Sequence, residues 1–420
     1  MNIKPSTIFT ADNLDILRGI DSECVDLIYL DPPFNSNKNY SAPVGSKAAG
    51  AHFKDTWSLS DTDDAWWGQI ADKYPDLYRV IDAVGAVGGN SNKSYCIYMA
   101  MRLLEMHRIL KPTGSIYYHC DPTMSHSIKL LMDAIFGTAQ FRNEIVWCYK
   151  GAETATRRFS SKHDLLLLYT KTKNYTYNMQ YHEHSKAQLA RYNVVKADGS
   201  RWANMKGKLR KLGPGKRISD WWLINVLTNN DKEREGYPTQ KPLQLLRRVV
   251  LASSNPGDLV LDPFCGCATA CVAAEIEGRE WVGIDISAMA YSLIKRRFKK
   301  TLPKLDIPTT HHWDSAVDGF PVRSGAQVLS KDIKHTLFGR QMGKCNGCFT
   351  EFPFRHLEKD HYIPRAKGGP DIDDNLQLLC SSCNSIKGRR PMDVLYAEHL
   401  KNGIITRAQI KKRYKPPYAP

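Results

Sequence analysis

Short, mainly apolar stretches that stop at an acidic residue recur along the chain. They are Val25–Leu30 before Asp31, Leu259–Leu261 before Asp262, and Trp281–Ile284 before Asp285. Apolar runs of this length, bounded by turn residues, are typical of buried strands. We therefore predict an α/β fold with three strands that each present a carboxylate at the carboxyl end.

Other segments follow helical or polar patterns. Residues 98–104 are predicted to be helical, and Ser115–Cys120 are predicted to form a strand. Residues 35–65 and 85–92 are polar or glycine-rich, which favours mobile loops. The basic, proline-containing stretch Lys411–Pro417 is typical of a disordered tail.

The residues after the first predicted strand are Asp31, Pro32, Pro33 and Phe34. The prolines fix the backbone, so the Asp31 carboxylate and the Pro32 carbonyl can both point at one hydrogen-bond donor. The tetrapeptide resembles the catalytic motif of DNA amino-methyltransferases. The resemblance implies that these two acceptors hold the exocyclic amine of an extruded base while Phe34 stacks on the base. Taken alone, the tetrapeptide fits a simple turn equally well.

The second and third predicted strands enclose a turn of small residues and an alanine-rich helix. An acid about 20 residues beyond such a turn, here Asp285, is typical of a nucleotide-binding βαβ unit. The glycine pattern alone also fits a dinucleotide site or a structural turn. The segment resembles the Phe-x-Gly-x-Gly motif with which methyltransferases hold S-adenosylmethionine, which implies cofactor contacts from Asp262, Phe264, Gly266 and Asp285. Ala268 stands where the final glycine is usual, and alanine fits there unless a positive φ is demanded.

The order of these motifs narrows the resemblance. The Asp-Pro-Pro-Phe motif comes well before the cofactor turn, and Tyr237–Pro242 lies shortly before that turn. This order is similar to that of β-class amino-methyltransferases. The resemblance covers residues 1–300 and implies a doubly wound, Rossmann-like sheet. It also implies that Lys241 helps to wall the cofactor pocket, that Asp12 lies near the adenine of the cofactor, and that Thr269 contacts its carboxylate.

We divide this region into three parts. Residues 1–149 are the expected catalytic half, residues 150–235 the target-recognition insertion, and residues 236–300 the cofactor-binding half. The insertion mixes basic and aromatic side chains such as Arg158 and Trp202, which can neutralise phosphates and stack on bases. For any single residue there, packing in a small core or simple solvation is the plainer explanation.

Four cysteines in the C-terminal segment form two Cys-x-x-Cys pairs. The pairs are Cys345 with Cys348 and Cys380 with Cys383. This spacing predicts a closed, tetrahedral zinc site. Such a site also serves as a fold staple or as a DNA-binding ribbon in segments that have little core of their own.

Polar residues between these cysteines and directly after the last one resemble those of zinc-containing HNH nucleases. The matching residues are Asp360, His361, Asn375 and Asn384, with asparagine in place of the usual final histidine. The resemblance implies a small ββα-metal module in which His361 activates water and Asn375 braces the histidine loop. It also implies that Asp360 and Asn384 bind a catalytic Mg²⁺ or a similar divalent cation.

We expect this module to span residues 336–400, between a linker at 301–335 and a basic tail at 401–420. The chain has 420 residues and a formal net charge of +16, which suits a polyphosphate partner such as double-stranded DNA. Its 11 cysteines show no disulfide framework, and no run is long enough to cross a bilayer. We therefore expect no membrane association and a location in the cytoplasm of a bacterium, with a bacterial or phage gene as the source.

These features predict a site-specific DNA methyltransferase fused to an HNH endonuclease, forming a single-chain restriction-modification enzyme. Adenine N6 is favoured over cytosine N4, because the aspartate form of the motif is the common adenine type in the family that it resembles. Two alternatives stay open. One is a solitary methyltransferase whose zinc module only binds DNA, and the other is a non-enzymatic DNA-binding regulator. Association as a homodimer is also left open.

Overall fold

A computed structural model describes residues 2–36, 40–41, 52–53, 55–58, 62–153, 155–287, 289–301, 309–312, 320–323 and 332–418. Much of the predicted mobile stretch at 35–65 and most of the predicted linker at 301–335 lie outside these residues. Within the described part of the chain, no helix combines the length and the apolar character that crossing a bilayer requires.

Most of the described strands belong to one sheet. The strands are β1 (Thr7–Thr10), β2 (Val25–Leu30), β3 (Tyr40–Ser41), β4 (His52–Phe53), β5 (Leu110–Cys120), β6 (Phe141–Cys148), β7 (His163–Thr170), β8 (Val194–Val195), β9 (Arg201–Met205), β10 (Lys208–Lys211), β11 (Trp221–Leu223), β12 (Leu259–Asp262), β13 (Glu280–Asp285), β14 (Thr310–His312), β15 (Leu357–His361) and β16 (Leu376–Cys380). Nine of them form a sheet in the order β11-β6-β7-β5-β2-β12-β13-β1-β14. All run parallel except β7, which is antiparallel to β5 and β6. The three strands predicted from the apolar stretches, β2, β12 and β13, lie side by side.

Helices cover both faces of this sheet. The described α-helices are α1 (Asn13–Gly19), α2 (Asp64–Lys73), α3 (Pro75–Ile109), α4 (Ser125–Phe136), α5 (Lys186–Arg191), α6 (Leu243–Ser253), α7 (Thr269–Ile276), α8 (Met289–Thr301), α9 (Ile333–Arg340), α10 (Ser381–Lys387), α11 (Met392–Lys401) and α12 (Arg407–Lys411). Along β2, Ile28 and Leu30 pack into one core with α1, α3 and α4, whereas Leu27 and Tyr29 pack into another with α6, α7 and α8. Alternate side chains of a strand point to opposite faces, so the sheet is doubly wound, as predicted.

The helix and the strand predicted between residues 98 and 120 are confirmed, but the glycine-rich stretch before them is not a loop. α3 includes residues 85–92 and is kinked only at Gly89, where φ is 78°. Asn35 holds the kinked segment, because its amide nitrogen donates to Asn92 at 2.8 Å and its amide oxygen accepts from Ser91 at 2.9 Å. Gly89 therefore separates two helical segments that are counted together as α3, and glycine carries no Cβ penalty at the positive φ of this break.

Strand pairing also differs from the expected division of the chain. β7 lies within residues 150–235, yet it pairs with β5 and β6 of the main sheet. The part of this segment outside the main sheet begins after Thr170 and contains the separate sheet β10-β9-β8. Within residues 301–335, β14 pairs with β1. At both places a strand joins the main sheet through backbone hydrogen bonds. The amino-acid composition of these segments does not reveal this pairing.

The C-terminal module has the expected ββα arrangement. β15 and β16 pair antiparallel, and α10 follows β16 directly. The described part of the tail, residues 401–418, is ordered, so the prediction that Lys411–Pro417 is disordered is wrong. α12 begins with a capping box between Thr406 and Gln409, and the Tyr418 N–H donates to the Asp374 carbonyl at 2.9 Å. Tyr414 packs against the core of the module, which gives this basic segment an apolar anchor.

The C-terminal module packs directly against helix α2. Trp67 of α2 stacks on Tyr78 with ring centroids 4.3 Å apart, and Tyr78 lies 6.1 Å from Phe338 of α9. Trp67 and Phe338 belong to one continuous hydrophobic core. Asp72 of α2 and His335 of α9 lie 3.0 Å apart at the edge of this contact. The module is therefore fixed to the main domain by shared packing as well as by the chain that connects them.

We expect Gly68→Ala to destabilise the chain by about 1–3 kcal/mol, despite the higher helix propensity of alanine. A Cβ at this position of α2 would lie 2.3 Å from the His335 carbonyl oxygen of α9. Thermal unfolding should show a lower midpoint, and limited proteolysis should release the C-terminal module earlier. Gly213→Ala is the control, because a Cβ there meets nothing within 4 Å. Equal stability of the two variants would contradict the close packing of α2 and α9.

Candidate active sites

Four acidic residues lie together at the carboxyl edge of the sheet. Asp31 follows β2, Asp262 and Asp285 end β12 and β13, and Asp12 lies two residues beyond β1. These four strands are neighbours and run parallel, so their carboxyl ends meet at one edge. The four acids line a single cavity of about 390 Å³. Phe264, Gly266 and Thr269, all predicted to bind cofactor, line the same cavity.

The charge of this cavity suits a cationic ligand. Its described lining contains the carboxylates of Asp12, Asp31, Asp55, Asp262 and Asp285 against one ammonium group, that of Lys241. Burial raises the pKa of Asp262 well above its usual range and also raises the pKa of Asp285. A positive group among buried carboxylates lowers the cost of keeping them ionised. The sulfonium group of S-adenosylmethionine is such a group, so the residues present fit this cofactor.

Only one oxygen of the Asp31 carboxylate has a hydrogen-bond partner within the described residues. The Lys241 Nζ lies 2.5 Å from Asp31 Oδ2. The other oxygen, Oδ1, is buried and has no hydrogen-bond partner within the described residues. Leaving a buried carboxylate oxygen without a donor is unfavourable, so Oδ1 is placed to accept a hydrogen bond from a ligand. Lys241 lines the cavity, as the resemblance implies, but its ammonium group contacts Asp31.

The rest of the Asp-Pro-Pro-Phe segment forms the wall beside this carboxylate. Pro32, Pro33 and Phe34 all line the cavity. The Tyr95 hydroxyl donates to the Pro33 carbonyl at 2.6 Å, which fixes the turn. The half-buried Phe34 ring lies 5.2 Å from the Lys241 Nζ, measured to the ring centroid. An aromatic face and a hydrogen-bond acceptor thus lie next to each other, as a flipped base requires.

Asp12 is locked in place by a buried arginine. Its carboxylate caps α1 by accepting from the Leu14 N–H at 2.8 Å. It also accepts two hydrogen bonds from Arg102 Nη2, at 2.7 and 2.8 Å. Arg102 is fully buried, and its guanidinium carbon lies 3.3 Å from the Tyr98 ring centroid. Burial lowers the pKa of Arg102, while Tyr98 and Asp12 oppose this shift.

The turn between β12 and α7 contains two residues with positive φ. Gly266 has a φ of 51°, and its N–H donates to Asp285 Oδ2 at 2.7 Å. Ala268 has a φ of 51° and a ψ of 47°, the left-handed conformation that costs alanine about 1–2 kcal/mol. The positive φ that the sequence left open is therefore required here. The Thr269 hydroxyl accepts a hydrogen bond from Arg297 at 2.8 Å, which orients it at the start of α7.

Three buried polar residues of this site were missed from the sequence: Arg102, His119 and Arg297. His119 is fully buried, with Nδ1 2.8 Å from the Tyr29 hydroxyl and Nε2 3.3 Å from Asp164 Oδ2. A signal was available, because Arg102 and His119 interrupt otherwise apolar stretches. Buried polar groups in such stretches need partners, although the sequence does not say which.

The four cysteines of the C-terminal module come together as predicted. The Sγ atoms of Cys345, Cys348, Cys380 and Cys383 all lie within 4.8 Å of one another. A tetrahedron with Zn–S bonds of about 2.3 Å has S–S edges of about 3.8 Å, so this set fits a zinc ion. The Gly347 N–H donates to Cys345 Sγ at 3.3 Å, and the buried His399 lies 3.3 Å from Cys383 Sγ through Nε2. His399 was not found from the sequence.

Asn375 braces the loop that follows His361. Its side-chain amide exchanges hydrogen bonds with the Ile363 N–H and carbonyl, both at 3.0 Å, and donates to the Pro370 carbonyl at 2.8 Å. His361 Nε2 lies 2.8 Å from Asp371 Oδ1. Because a carboxylate only accepts, Nε2 carries the proton and Nδ1 is left to act as a base. The bond to His361 lowers the pKa of Asp371, another residue that the sequence did not reveal.

Asp360 of β15 and Asn384 of α10 both carry side-chain oxygen atoms beside the same face of β15. Asp360 accepts from Gln377 at 2.9 Å and pairs with the buried Lys387 at 3.0 Å. The Asn384 Nδ2 donates to Glu358 Oε2 at 2.7 Å, which leaves its amide oxygen available. Glu358 and Asp360 are two residues apart on β15 and therefore share a face. Oxygen ligands of these types fit a hard divalent cation such as Mg²⁺.

Two family models match this chain, one over each of the two regions that contain these clusters. A family model described as DNA methylase matches residues 25–296, and one described as HNH endonuclease matches residues 345–390. The DNA adenine methyltransferase YhdJ of Escherichia coli (strain K12) is 29% identical over 296 residues, which cover 69% of this chain and 82% of that protein. The type II methyltransferase M.EcaI of Enterobacter cloacae is 26% identical over 352 residues, and the match covers 70% of each protein.

Two solved structures resemble this chain at low sequence identity and low TM-score. The cytosine-N4-specific PvuII DNA methyltransferase is 13% identical with a TM-score of 0.42, and the match covers 70% of this chain and 89% of that one. The M1.HpyAVI–SAM complex is 16% identical with a TM-score of 0.38, covering 70% and 98%. The first family model covers well over half of the chain and spans both β2 and the cofactor turn. The chain therefore belongs to the DNA methylase family and carries an HNH endonuclease domain near its C-terminal end.

Proposed function

We propose that the chain transfers a methyl group from S-adenosylmethionine to the exocyclic amine of a base in double-stranded DNA, and that its HNH domain cleaves DNA. The observation that carries the first part is the buried Oδ1 of Asp31 at the wall of the acidic cavity, which has no hydrogen-bond partner among the residues that the structure describes. An amine N–H is the donor that this oxygen lacks. Together the two activities form a single-chain restriction-modification enzyme.

Asp31 is the central residue of methyl transfer. Asp31 Oδ1 and the Pro32 carbonyl accept the two amine hydrogens, so the nitrogen lone pair turns out of the ring plane toward the methyl donor. Positive charge then develops on the nitrogen, and the Asp31 carboxylate stabilises it. Lys241 holds Oδ2, which keeps Oδ1 directed at the amine. No covalent enzyme intermediate is needed, because positioning supplies much of the rate.

The remaining cavity residues hold the cofactor. When bound, S-adenosylmethionine supplies the electrophilic methyl group. Asp12 and the nearby Tyr98 ring hold the adenine end, and Asp285 accepts from the ribose hydroxyls. Gly266 allows the Tyr237 ring to pack closely against the turn, because a Cβ at position 266 would lie 2.9 Å from that ring. Thr269, oriented by its bond from Arg297, contacts the carboxylate.

Adenine N6 is the favoured target. YhdJ, which matches over most of its length, is named as a DNA adenine methyltransferase. The aspartate at the start of the tetrapeptide agrees with this choice. Recognition falls to the segment after Thr170, where Lys206, Lys208 and Arg210 of the β9–β10 hairpin are exposed and can neutralise phosphates. Because chromosomal or phage DNA is the substrate, we propose a bacterial cytoplasmic location, and association as a homodimer stays a prediction.

The HNH domain supplies the proposed cleavage. His361, with its proton on Nε2 directed to Asp371, takes a proton from water through Nδ1. Asp360 and Asn384 would hold Mg²⁺, which stabilises charge on the scissile phosphate. One observation favours the alternative of a zinc module that only binds DNA: the Lys387 ammonium already pairs with Asp360 at 3.0 Å. A cleavage assay with and without Mg²⁺ distinguishes an active nuclease from a zinc module that only binds DNA.

We expect Asp31→Ala to reduce methyl transfer by at least about 100-fold, because the variant loses the group that stabilises the developing charge. Its cofactor affinity should stay close to that of the parent. Transfer of tritiated methyl groups to unmethylated DNA and calorimetric titration with S-adenosylmethionine measure the two effects. Asp285→Ala is the matched contrast and should weaken cofactor binding first. An Asp31→Ala variant that methylates within a few-fold of the parent would refute the assignment.

Removal of the zinc site should unfold the C-terminal module. Cys345→Ser loses a ligand of a structural metal, which supplies much of the folding free energy of so small a unit. Because α9 shares its core with α2, the unfolding midpoint of the main domain should fall as well, with methyl transfer retained below that midpoint. Calorimetry and metal analysis test this, with Cys148→Ser as a control outside the cluster. A parent protein with full thermal stability and no bound zinc would exclude the site.

The two activities should be separable. His361→Ala should abolish Mg²⁺-dependent cleavage and leave methylation unchanged, because the general base is lost while the cysteine frame stays intact. Asp31→Ala should be toxic to an expressing cell, and the double variant should be tolerated. Viability counts and cleavage of unmethylated plasmid measure this. A nuclease that requires methylated DNA would reverse the pattern: Asp31→Ala would be harmless, and purified protein would prefer methylated DNA.

A further inference from the structure

The backbone directly after the Asp-Pro-Pro-Phe tetrapeptide is bound by another acid of the cavity wall, Asp55. The Asn35 N–H donates to Asp55 Oδ1 at 2.6 Å, and the Ser36 N–H donates to Asp55 Oδ2 at 3.0 Å. The Ser36 hydroxyl also donates to Oδ2, at 2.5 Å. Each oxygen of this carboxylate therefore accepts a backbone N–H, and the two N–H groups belong to consecutive residues.

Asp55 binds the chain where its backbone conformation is unusual. Asn35 has a φ of 58°, in the left-handed region that residues other than glycine adopt only occasionally. Asn35 is 2% exposed and Asp55 is 1% exposed. Water does not compete for a hydrogen bond between buried groups, so the Asp55 carboxylate keeps this left-handed residue in one position.

The segment that carries Asp55 is anchored by aromatic packing against α3. The ring centroid of Trp57 lies 5.5 Å from that of Tyr95 and 4.4 Å from that of Tyr98. The Tyr95 hydroxyl in turn donates to the Pro33 carbonyl at 2.6 Å. The peptide group before the Phe34 Cα is therefore held by Tyr95, and the peptide group after it is held by Asp55.

We propose that Asp55 is a positioning residue for methyl transfer, which fixes the Phe34 ring on which the target base stacks. Because a peptide group is planar, holding the two peptide groups beside a Cα fixes both backbone dihedral angles and the direction of the Cβ. Tyr95 and Asp55 do this at Phe34. The base then stacks on an immobile ring while Asp31 and Pro32 accept its amine hydrogens. This role rests on the proposed function of the tetrapeptide.

A role through charge is the alternative for Asp55, because its carboxylate also lines the cavity that suits a cationic cofactor. The hydrogen bonds favour the positioning role. Both Asp55 oxygens accept from backbone N–H groups of one turn, whereas a group that acts only by its charge needs no particular orientation. Glutamate at this position separates the two roles, because it keeps the negative charge and moves the carboxylate by the length of one methylene.

The test compares the rate of the first methyl transfer with cofactor affinity. The full chain would be mixed with saturating unmethylated bacterial genomic DNA and tritiated S-adenosylmethionine, without added divalent cation, and sampled by rapid quench. Asp55→Asn keeps the side-chain shape but turns an NH₂ group toward one of the two backbone N–H donors. Asp55→Asn and Asp55→Glu should both be at least about tenfold slower, because a misplacement of about 1 Å can cost about 100-fold. Calorimetric titration should give both variants an affinity for S-adenosylmethionine close to that of the parent.

Ser36→Ala is the matched control, because it removes the hydroxyl that bonds to Asp55 and leaves both backbone N–H donors in place. It should methylate at nearly the parent rate. Thermal unfolding of each variant shows whether the fold is intact. Should Asp55→Glu fail to fold, the comparison of Asp55→Asn with Ser36→Ala decides.

Three results would overturn the positioning role of Asp55. The first is a parent-like rate for Asp55→Glu together with weakened cofactor binding by Asp55→Asn, as expected of a role through charge. The second is an Asp55→Asn variant whose unfolding midpoint and cofactor affinity fall along with its rate, as expected of a role in the fold alone. The third is an equal first-turnover rate for Asp55→Asn and Ser36→Ala. A parent that does not methylate would instead count against the proposed function.

Discussion

The parallel alignment of β2, β12, β13 and β1 is the constraint on which the whole methylation site depends. Backbone hydrogen bonds between these strands bring their carboxyl ends to one edge, although the strands are far apart in sequence. Each strand is followed or ended by an acid, so the sheet forces four carboxylates into one cavity. Like charges in a buried place are unfavourable, and the fold offsets this with Arg102, Lys241 and the Gly266 N–H. What negative potential remains is a preorganised environment for a cation.

The one antiparallel strand adds to this edge in a different way. In a parallel strand, only residues near the carboxyl end reach the functional edge. β7 runs in the opposite direction, so its first residues, His163 and Asp164, lie there instead. The acid that holds His119 thus comes from the start of a strand, and the sheet places it next to residues that end other strands. This reversal widens the set of side chains that one edge can use.

The sequence was informative wherever chemistry is local. Apolar runs ending in Asp31, Asp262 and Asp285 predicted the strands, and the spacing of the cysteines predicted their cluster. Partners that depend on tertiary packing could not be predicted: Arg102 reaches Asp12 across 90 residues of chain. Composition was misleading at residues 85–92, where burial of the rest of α3 outweighs glycine content. It was also misleading in the C-terminal tail, where Tyr414 supplies an anchor that charge counts overlook.

The contact between α2 and α9 has a geometric consequence. With Trp67, Tyr78 and Phe338 in one packed core, the nuclease domain is not a tethered body that samples many positions. A flexible tether would spread cut positions over all the phosphates within its reach. Fixed docking instead holds the two sites at a constant separation. If both sites act on one duplex, the number of base pairs between the methylated base and the cut phosphate is then set by the fold and takes a single value.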